Sequence, residues 1–292
     1  MSSGRRGDRA GRPADVVFRA SLATPAPTGG HSALARLVTY GPAAHFHRDQ
    51  VKIGRAVLLA ALKLLRERDL TARILVTPAG LITGHLGEEA PVRHGWNTDQ
   101  ASFDWLGAHA LGLARELFTS EVRSLGAGRV GHLVLGVDIW PADRKGPYGE
   151  TACLCDFTTG EVRLLTGKSY PNTEQQDLLI REPDLASHVV DLGDEKLAVL
   201  VCHDLAAWSP RANANAKGYR ADVWQRMQEC IEQGKPTLAV QLPHTVDTAA
   251  TWTPPGIASS LDPVVRFVAP RAPSAIAGAT GRVTGIRQTQ SC

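Results

Sequence analysis

The chain has 292 residues, 43% hydrophobic and 21% charged, which is an ordinary composition for a globular protein. Its net charge is only +3, and beyond the N-terminus its lysines and arginines are scattered, which argues against nucleic-acid binding. No apolar run approaches the ~18–20 residues of a membrane span, and five cysteines without a secretory signal favour reduced thiols in a cytoplasmic protein.

Strands and helices are predicted to alternate along most of the chain. Residues 1–30 are rich in Gly, Arg, Pro, Ser and Ala and are predicted to be a disordered tail, ahead of one domain over residues 31–292. Apolar periodicity then predicts a strand over 37–40, a helix over 50–70, a strand over 73–77 and a helix over 102–118. The second half is predicted to contain strands over 132–139, 151–157, 161–165, 197–202 and 237–242, a helix over 212–233 and two last strands within 274–286. This order predicts helices layered outside a mixed sheet.

The most informative segment is LAVLVCHD, residues 197–204. An apolar strand brings Cys202 to its carboxyl end, where α/β folds place ligands and catalytic groups. A thiol at this point is a good nucleophile if a nearby cation or a helix N-terminus favours its ionised form. A cysteine buried in the core is the alternative interpretation.

Two further segments contain residue types that suit a site. Lys168 follows the hairpin strand in TGKSYP, so its ammonium can lie over a neighbouring strand end; a surface lysine is the alternative. In ILVTPAGLITGH, residues 74–85, a buried strand leads to Pro78 and then to a loop with spaced glycines. That pattern is typical of a loop lining a site, and equally of a structural turn.

Together and in this order, the three segments resemble the nitrilase, or carbon–nitrogen hydrolase, superfamily. Its members carry a strand ending in Pro-Glu, a hairpin leading to a Lys, and an apolar strand ending in Cys-Tyr-Asp or a close variant. The matching residues here are Pro78-Ala79, Lys168 and Cys202-His203-Asp204, and the resemblance covers about residues 35–245. It implies a single α/β domain built as a four-layer α-β-β-α sandwich with mixed sheets, which forms a homodimer or a higher homo-oligomer.

The resemblance also implies a reaction. Cys202 would attack the carbon of an amide, nitrile or carbamoyl group in a small molecule, Lys168 would stabilise the oxyanion, and water would hydrolyse the thioester. The family has a Glu immediately after the proline as general base, whereas this chain has Ala79, whose methyl group accepts no proton. No cofactor and no membrane or nucleic-acid partner is implied.

Three explanations for the missing base remain open. Another carboxylate replaces it: Glu174, just beyond Lys168, is expected in the site, and Glu88 and Glu89 are further candidates. Alternatively, Lys168 and the local backbone keep the thiol ionised without a base. In the third explanation the chain is a catalytically degenerate protein that binds a ligand or a partner. A carboxylate within hydrogen-bond reach of Cys202 would favour an enzyme, and apolar side chains in that space would favour a binding protein.

Further residues are expected to contact the substrate. Tyr148, in the loop before the hairpin, is one, together with His203 and Asp204 directly after the cysteine, and Asp143 and Arg144 are weaker candidates.

Besides a hydrolase and a binding protein, a third possible function is that of a transferase, which passes the acyl group to an acceptor other than water. The thiols of Cys153 and Cys155 share one face of a strand, but no second ligand pair accompanies them, so no metal site is predicted.

Overall fold

Strands and helices alternate in the structure, a computed structural model. It describes residues 50–86, 99–141, 146–173, 175–193, 195–208 and 214–244, and the backbone alone of 17–23, 34–40 and 266–268. The strands are β1 (Val17–Ala23), β2 (Leu34–Tyr40), β3 (Ala72–Val76), β4 (Ile82–Leu86), β5 (Val130–Pro141), β6 (Gly149–Asp156), β7 (Val162–Gly167), β8 (Val189–Asp191), β9 (Lys196–Val201), β10 (Leu238–Leu242) and β11 (Arg266–Val268). The helices are α1 (Gln50–Glu67), α2 (Gln100–Leu117), α3 (Ser120–Gly126) and α4 (Tyr219–Gly234), and Leu185–His188 and Cys202–Trp208 form short 3-10 helices.

The strands form two sheets. The first has the order β1-β2-β3-β5-β6-β7, with β4 also paired to β5, and the second has the order β11-β10-β9-β8. In the first sheet β2, β3 and β5 are parallel neighbours, whereas β6 and β7 follow as antiparallel strands. In the second sheet β9, β10 and β11 are parallel and β8 is antiparallel. Both sheets are therefore mixed, as expected.

The two sheets lie face to face, with helices on both outer sides. Alternation along β5 shows how the sequence achieves this: Leu133 and Leu135 pack against α1 and α2, while Val134 packs against the second sheet. The outer face of the second sheet is covered by α4 through Met227 and Ile231. Aliphatic side chains fill the space between the sheets: Ile74, Val76, Val134, Leu154, Leu197, Val199, Val201 and Val240. The predicted four-layer α-β-β-α sandwich is confirmed.

The segment between β3 and β4 interrupts the pairing of this part of the chain with β5. Both strands pair in parallel with β5, one after the other, and residues 77–81 bulge out between them. The Gly136 N–H donates to the Thr77 hydroxyl at 2.9 Å, which fastens the bulge to β5. A Cβ at Gly136 would lie 2.6 Å from the Cα of Ala79, so only glycine allows this approach. The loop that carries Ala79 is thereby held directly over β5.

The structure departs from the sequence prediction at three elements. Val17–Ala23, inside the segment predicted to be a disordered tail, is β1 and pairs antiparallel with β2. Its alternation of apolar and polar residues is only seven residues long, so the surrounding Gly- and Pro-rich composition obscured it. A short helix, α3, was not predicted; Thr119 caps it by accepting from the Val122 N–H. The helix predicted from residue 212 begins at Tyr219 as α4.

Some expectations fall on other parts of the chain. The strands predicted within 274–286 and the rest of the predicted tail lie outside the described residues. Among the helices that are described, none combines the length and the apolar character needed to cross a bilayer.

Candidate active site

Polar side chains from both sheets meet at one end of the sandwich. Cys202 follows β9 and His244 follows β10, both at the carboxyl ends of parallel strands. Lys168 follows β7 of the first sheet, where Glu150 near the start of β6 pairs in register with Asp138 near the end of β5. The strand ends thus converge on one cluster, the arrangement predicted for Cys202 and Lys168.

Asp138 and Glu150 are two buried carboxylates on the same face of the first sheet. They are register partners across β5 and β6, and their relative exposures are only 3% and 1%. Asp138 lies on the same face of β5 as Val134, and Glu150 lies on the same face of β6 as Ala152, because strand side chains alternate between the two faces. Val134 and Ala152 pack between the sheets, so both acids face the second sheet. Like charges directly opposite each other are destabilising, and this pair therefore needs cations beside it.

Lys168 supplies the first cation. Its side chain is fully buried, and its Nζ donates to Glu150 Oε1 at 2.9 Å and to Gln175 Oε1 at 2.8 Å. Burial opposes its charge, but Cys202 and Glu150 outweigh burial and raise the pKa of Lys168 above its usual range. An ammonium has three N–H donors, and its bonds to the described residues use two of them, which leaves one for a further acceptor.

His244 supplies the second cation. Its Nε2 lies 2.5 Å from Asp138 Oδ2, and its Nδ1 lies 3.5 Å from Glu150 Oε2. Burial lowers the pKa of His244, but the Asp138 and Glu150 carboxylates outweigh burial and raise it well above the usual range. For Glu150, burial favours the neutral acid, yet Lys168 and His244 lower the pKa of this carboxyl. Each of the two acids in this cluster therefore has a basic group as its partner.

Cys202 lies against this cluster. Its sulfur, a Glu150 oxygen and a His244 nitrogen all lie within 4.8 Å of one another. The backbone of Cys202 has φ +49°, a left-handed conformation that non-glycine residues seldom adopt. This conformation ends β9 and starts the 3-10 helix, and Gln241 Nε2 donates to the Cys202 carbonyl at 3.0 Å. The thiol is thus fixed at the sheet rim.

Asp204 joins the two segments that carry the lysine and the cysteine. Its fully buried carboxylate accepts the backbone N–H groups of Ser169 at 3.0 Å, Tyr170 at 2.7 Å and Val201 at 2.9 Å. One side chain thereby fastens the residues after Lys168 to the end of β9. Asp204 was expected to contact substrate, and in the structure its hydrogen-bond partners are backbone N–H groups of the segments that carry Lys168 and Cys202.

The other two residues expected to contact substrate flank the cluster. Tyr148 is buried, its ring stacks on Trp140 at 4.0 Å between centroids, and burial and then Glu150 raise the pKa of its phenol. His203 lies over the ring of Tyr170 with 6.0 Å between centroids. Burial, Lys168 and Arg220 lower the pKa of His203 to about 4, so this imidazole is neutral near pH 7.

The third residue expected to be catalytic, Glu174, lies outside the described residues, as do Glu88, Glu89, Asp143 and Arg144. Its neighbour Gln175 accepts a hydrogen bond from Lys168. Ala79 is buried in its bulge, and a Cβ on the next residue, Gly80, would lie 2.7 Å from Asp138 Oδ2 and 3.5 Å from His244 Cδ2. The loop that carries Ala79 therefore packs against Asp138 and His244.

Sequence analysis missed Asp138, Glu150 and His244. Two signals pointed to them. The acids interrupt strands whose other residues are mostly apolar or small, and an acid inside a covered strand requires a partner. His244 follows the apolar strand TLAVQL much as Cys202 follows LAVLV, so the strand-end argument applied to the cysteine also applies to this histidine.

Three residues of this cluster have side chains that can bind a metal ion. Glu150, Cys202 and His244 offer the carboxylate, thiolate and imidazole donors that zinc accepts. A metal-bound imidazole must be neutral, whereas Asp138 and Glu150 favour the protonated ring, and the Lys168 ammonium already bonds Glu150. The residues therefore do not fit a metal, and Cys153 and Cys155 lie buried in the apolar core beside the helices.

A cavity of about 390 Å³ lies elsewhere, between β4, β5 and α2. Gly84, His85, His109, Leu113 and Ile139 are among its lining residues. Ile139 belongs to the helix-side core, whereas Asp138 next to it faces the second sheet. The cavity is thus separated from Cys202 by the first sheet, and Gly84 and His85 are not part of the cluster.

Comparisons with known proteins give low similarity throughout. No family model and no curated protein matches the chain. Among solved structures, it is similar to a mutant of the amidase from Nesterenkonia sp. AN1 that has acrylamide added at its active-site cysteine. The two sequences are 15% identical, the match covers 87% of this chain and 78% of that chain, and the TM-score is 0.43. Another mutant of that amidase, described as belonging to the nitrilase superfamily, matches with 17% identity, 75% and 70% coverage and a TM-score of 0.41.

Proposed function

We propose that this chain hydrolyses a carbon–nitrogen bond, of an amide, nitrile or carbamoyl group, in a small molecule through a thioester on Cys202. The observation that supports this most directly is the Glu150 carboxylate, which accepts a hydrogen bond from the Lys168 ammonium and brings an oxygen to within 4.8 Å of the Cys202 sulfur. A carboxylate within reach of the thiol was the feature expected of an enzyme and not of a degenerate binding protein. Glu150, on β6, supports the enzyme by bringing a carboxylate oxygen to within 4.8 Å of the sulfur, whereas Ala79 has no carboxylate.

Each group has a role in this proposal. Glu150 accepts the thiol proton as the sulfur attacks, the function of a general base. The third N–H of Lys168, for which no partner is found among the described residues, stabilises the oxyanion. Asp204 keeps these groups together through the backbone, and Tyr148 and His203 line the approach to the sulfur. Because the ammonium is already held by Glu150 and Gln175, little reorganisation is needed when charge develops.

The proposal is tested by intact-mass spectrometry after incubation with a panel of small amides and nitriles. We expect an acyl adduct that maps to Cys202, and turnover that is lost in Cys202→Ala. Cys230→Ser is the matched control, because Cys230 is a half-buried thiol on α4, remote from the cluster. Absence of any adduct and of any turnover across the panel would contradict the proposal and favour ligand binding without chemistry.

Product analysis separates hydrolysis from acyl transfer. Hydrolysis gives the free carboxylic acid even when amines or hydroxylamine are added as competing acceptors. A product formed only with an added acceptor would identify a transferase on the same thioester.

A further inference from the structure

We propose that His244, oriented by Asp138, is the general acid that protonates the departing nitrogen. This inference rests on the proposed function and adds an Asp–His pair to the site. A carbon–nitrogen bond breaks readily only if its nitrogen receives a proton, since an amide anion is a very poor leaving group. The loop at Ala79, where the family has a single Glu for proton transfers, offers no side chain for this step.

The geometry of the ring supports this role. Asp138 lies 2.5 Å from Nε2, which fixes the orientation of the imidazole and leaves Nδ1 directed towards Glu150, and one of the two ring nitrogens lies within 4.8 Å of the sulfur. The site groups that face His244 are Asp138 from β5, Glu150 from β6 and Cys202 from the end of β9. Two of these are carboxylates, so the ring carries its proton before substrate arrives.

Glu150 alone does not suit the acid step. Its Oε1 accepts from Lys168 at 2.9 Å, and the low pKa of this carboxyl means that it gives up a proton quickly but rarely holds one. Its buried Oε2 has no hydrogen-bond partner among the described residues and lies 3.5 Å from His244 Nδ1. A proton taken from the thiol can therefore pass from Oε2 to the ring.

The space beside Ala79 supports the same assignment. A Cβ at Gly80 would clash with Asp138 Oδ2 and touch the His244 ring, so the Asp–His pair lies where the bulge meets the site. Pro243, directly before His244, accepts a backbone hydrogen bond from Ala79 at 3.2 Å. The loop that lacks the acid and the strand end that carries the histidine are thus fixed to each other.

The steps balance for an amide. The thiol proton moves to Glu150 as the S–C bond forms, and the carbonyl electron pair moves to oxygen beside Lys168. The C–N bond then breaks while Nδ1 of His244 gives its proton to nitrogen, and Glu150 returns a proton to Nδ1. Water next attacks the thioester and gives a proton to Glu150; the C–S bond breaks, and the sulfur takes that proton back. One amide and one water become a carboxylic acid and an amine.

The first experiment varies the leaving group. An amide and a p-nitrophenyl ester with the same acyl group are compared in the native chain and in His244→Gln, because p-nitrophenolate leaves without a proton. We expect kcat for the amide to fall about 100-fold or more, within the usual range for general acid–base catalysis, and kcat for the ester to fall less than about 10-fold. His109→Gln, an exposed histidine on α2, is the control and should leave both rates unchanged.

A second measurement does not depend on turnover. The rate of Cys202 alkylation by iodoacetamide is followed against pH, with the modified cysteine identified by peptide mapping in a background of Cys230→Ser and Cys292→Ser. His244→Gln removes a positive charge beside the sulfur, so alkylation below pH 7 should slow by about tenfold, the effect of one pKa unit. Asp138→Asn should shift the profile in the same direction by a smaller amount.

The outcomes separate the two proposals. If the native chain turns over neither substrate, the proposed function fails and the acid role fails with it. If the native chain is active but His244→Gln slows amide and ester equally, or leaves the alkylation profile unchanged, only the acid role is overturned. Thermal melting of each variant identifies one that does not fold, and His244→Asn then replaces it.

Discussion

Replacing Lys168 by Met removes the ammonium from a buried ion pair and leaves the Glu150 carboxylate in the interior. The two charges are 2.9 Å apart and their side chains are 0% and 2% exposed. At an effective dielectric constant of about 20, charges at this distance attract each other by about 6 kcal/mol, before the cost of removing both from water. The net contribution of the pair to the free energy of unfolding is therefore small, but removing only one of its two charges is strongly destabilising.

Loss of one partner from a buried pair typically costs ~3–5 kcal/mol. His244 remains 3.5 Å from the second Glu150 oxygen and compensates part of the negative charge that loses its lysine partner. We therefore expect Lys168→Met to lower the free energy of unfolding by about 3 kcal/mol, near the lower end of that range. For a domain of this size the midpoint of thermal unfolding should fall by roughly 6–12 °C.

The assay is a double-mutant cycle by urea denaturation with Lys168→Met, Glu150→Gln and the two together. The double variant has neither charge, so its loss of unfolding free energy should be smaller than the sum of the single losses by about 2 kcal/mol. Losses that add to within about 0.5 kcal/mol would refute the reasoning, because independent sites behave in that way.

Three further predictions follow from contacts in or beside the site. Gly136→Ala would place a methyl group 2.6 Å from the Cα of Ala79, and we expect a loss of roughly 3 kcal/mol in urea denaturation; a loss below about 0.5 would mean that the bulge yields freely. Asp204→Asn turns an acceptor into a donor facing a backbone N–H, which should cost about 2 kcal/mol and lower turnover as well; unchanged turnover would contradict its role in holding the two segments together. His244 has a pKa raised by folding, so its contribution to stability is complete below pH ~6.5 and is lost as pH rises through the folded-state value. The unfolding free energy should therefore fall on the alkaline side in the native chain, and His244→Gln should show a flatter pH dependence.

The order of elements and the meeting of Cys202 with Lys168 could be predicted because both follow apolar strands. A covered strand gives a continuous run of apolar residues, and the residue at its carboxyl end is placed at the sheet rim whatever its type. The contact between the two segments needs one more feature, the Asp204 carboxylate, and the motif Cys202-His203-Asp204 contains it at the correct spacing.

The Glu150 carboxylate and its partners could not be assigned in the same way. Which strand of the hairpin pairs with β5, and in which register, depends on tertiary packing, and a shift of one residue would turn Glu150 to the helix side. The side-by-side arrangement of Asp138 and Glu150 is therefore a property of the sheet and not of either segment. His244 joins them from the other sheet, 94 residues beyond Glu150 in the sequence.

The positive φ of Cys202 means that the residue that supplies the thiol is not the residue that would make the fold most stable. For a residue other than glycine, the left-handed region is less stable by about 1 kcal/mol or more, whereas glycine adopts it without steric conflict. A library of variants screened only for resistance to heat should therefore accumulate Gly at position 202 and lose the sulfur. We therefore expect cysteine to be kept at position 202 only where something other than stability, such as a need for the thiol, is selected.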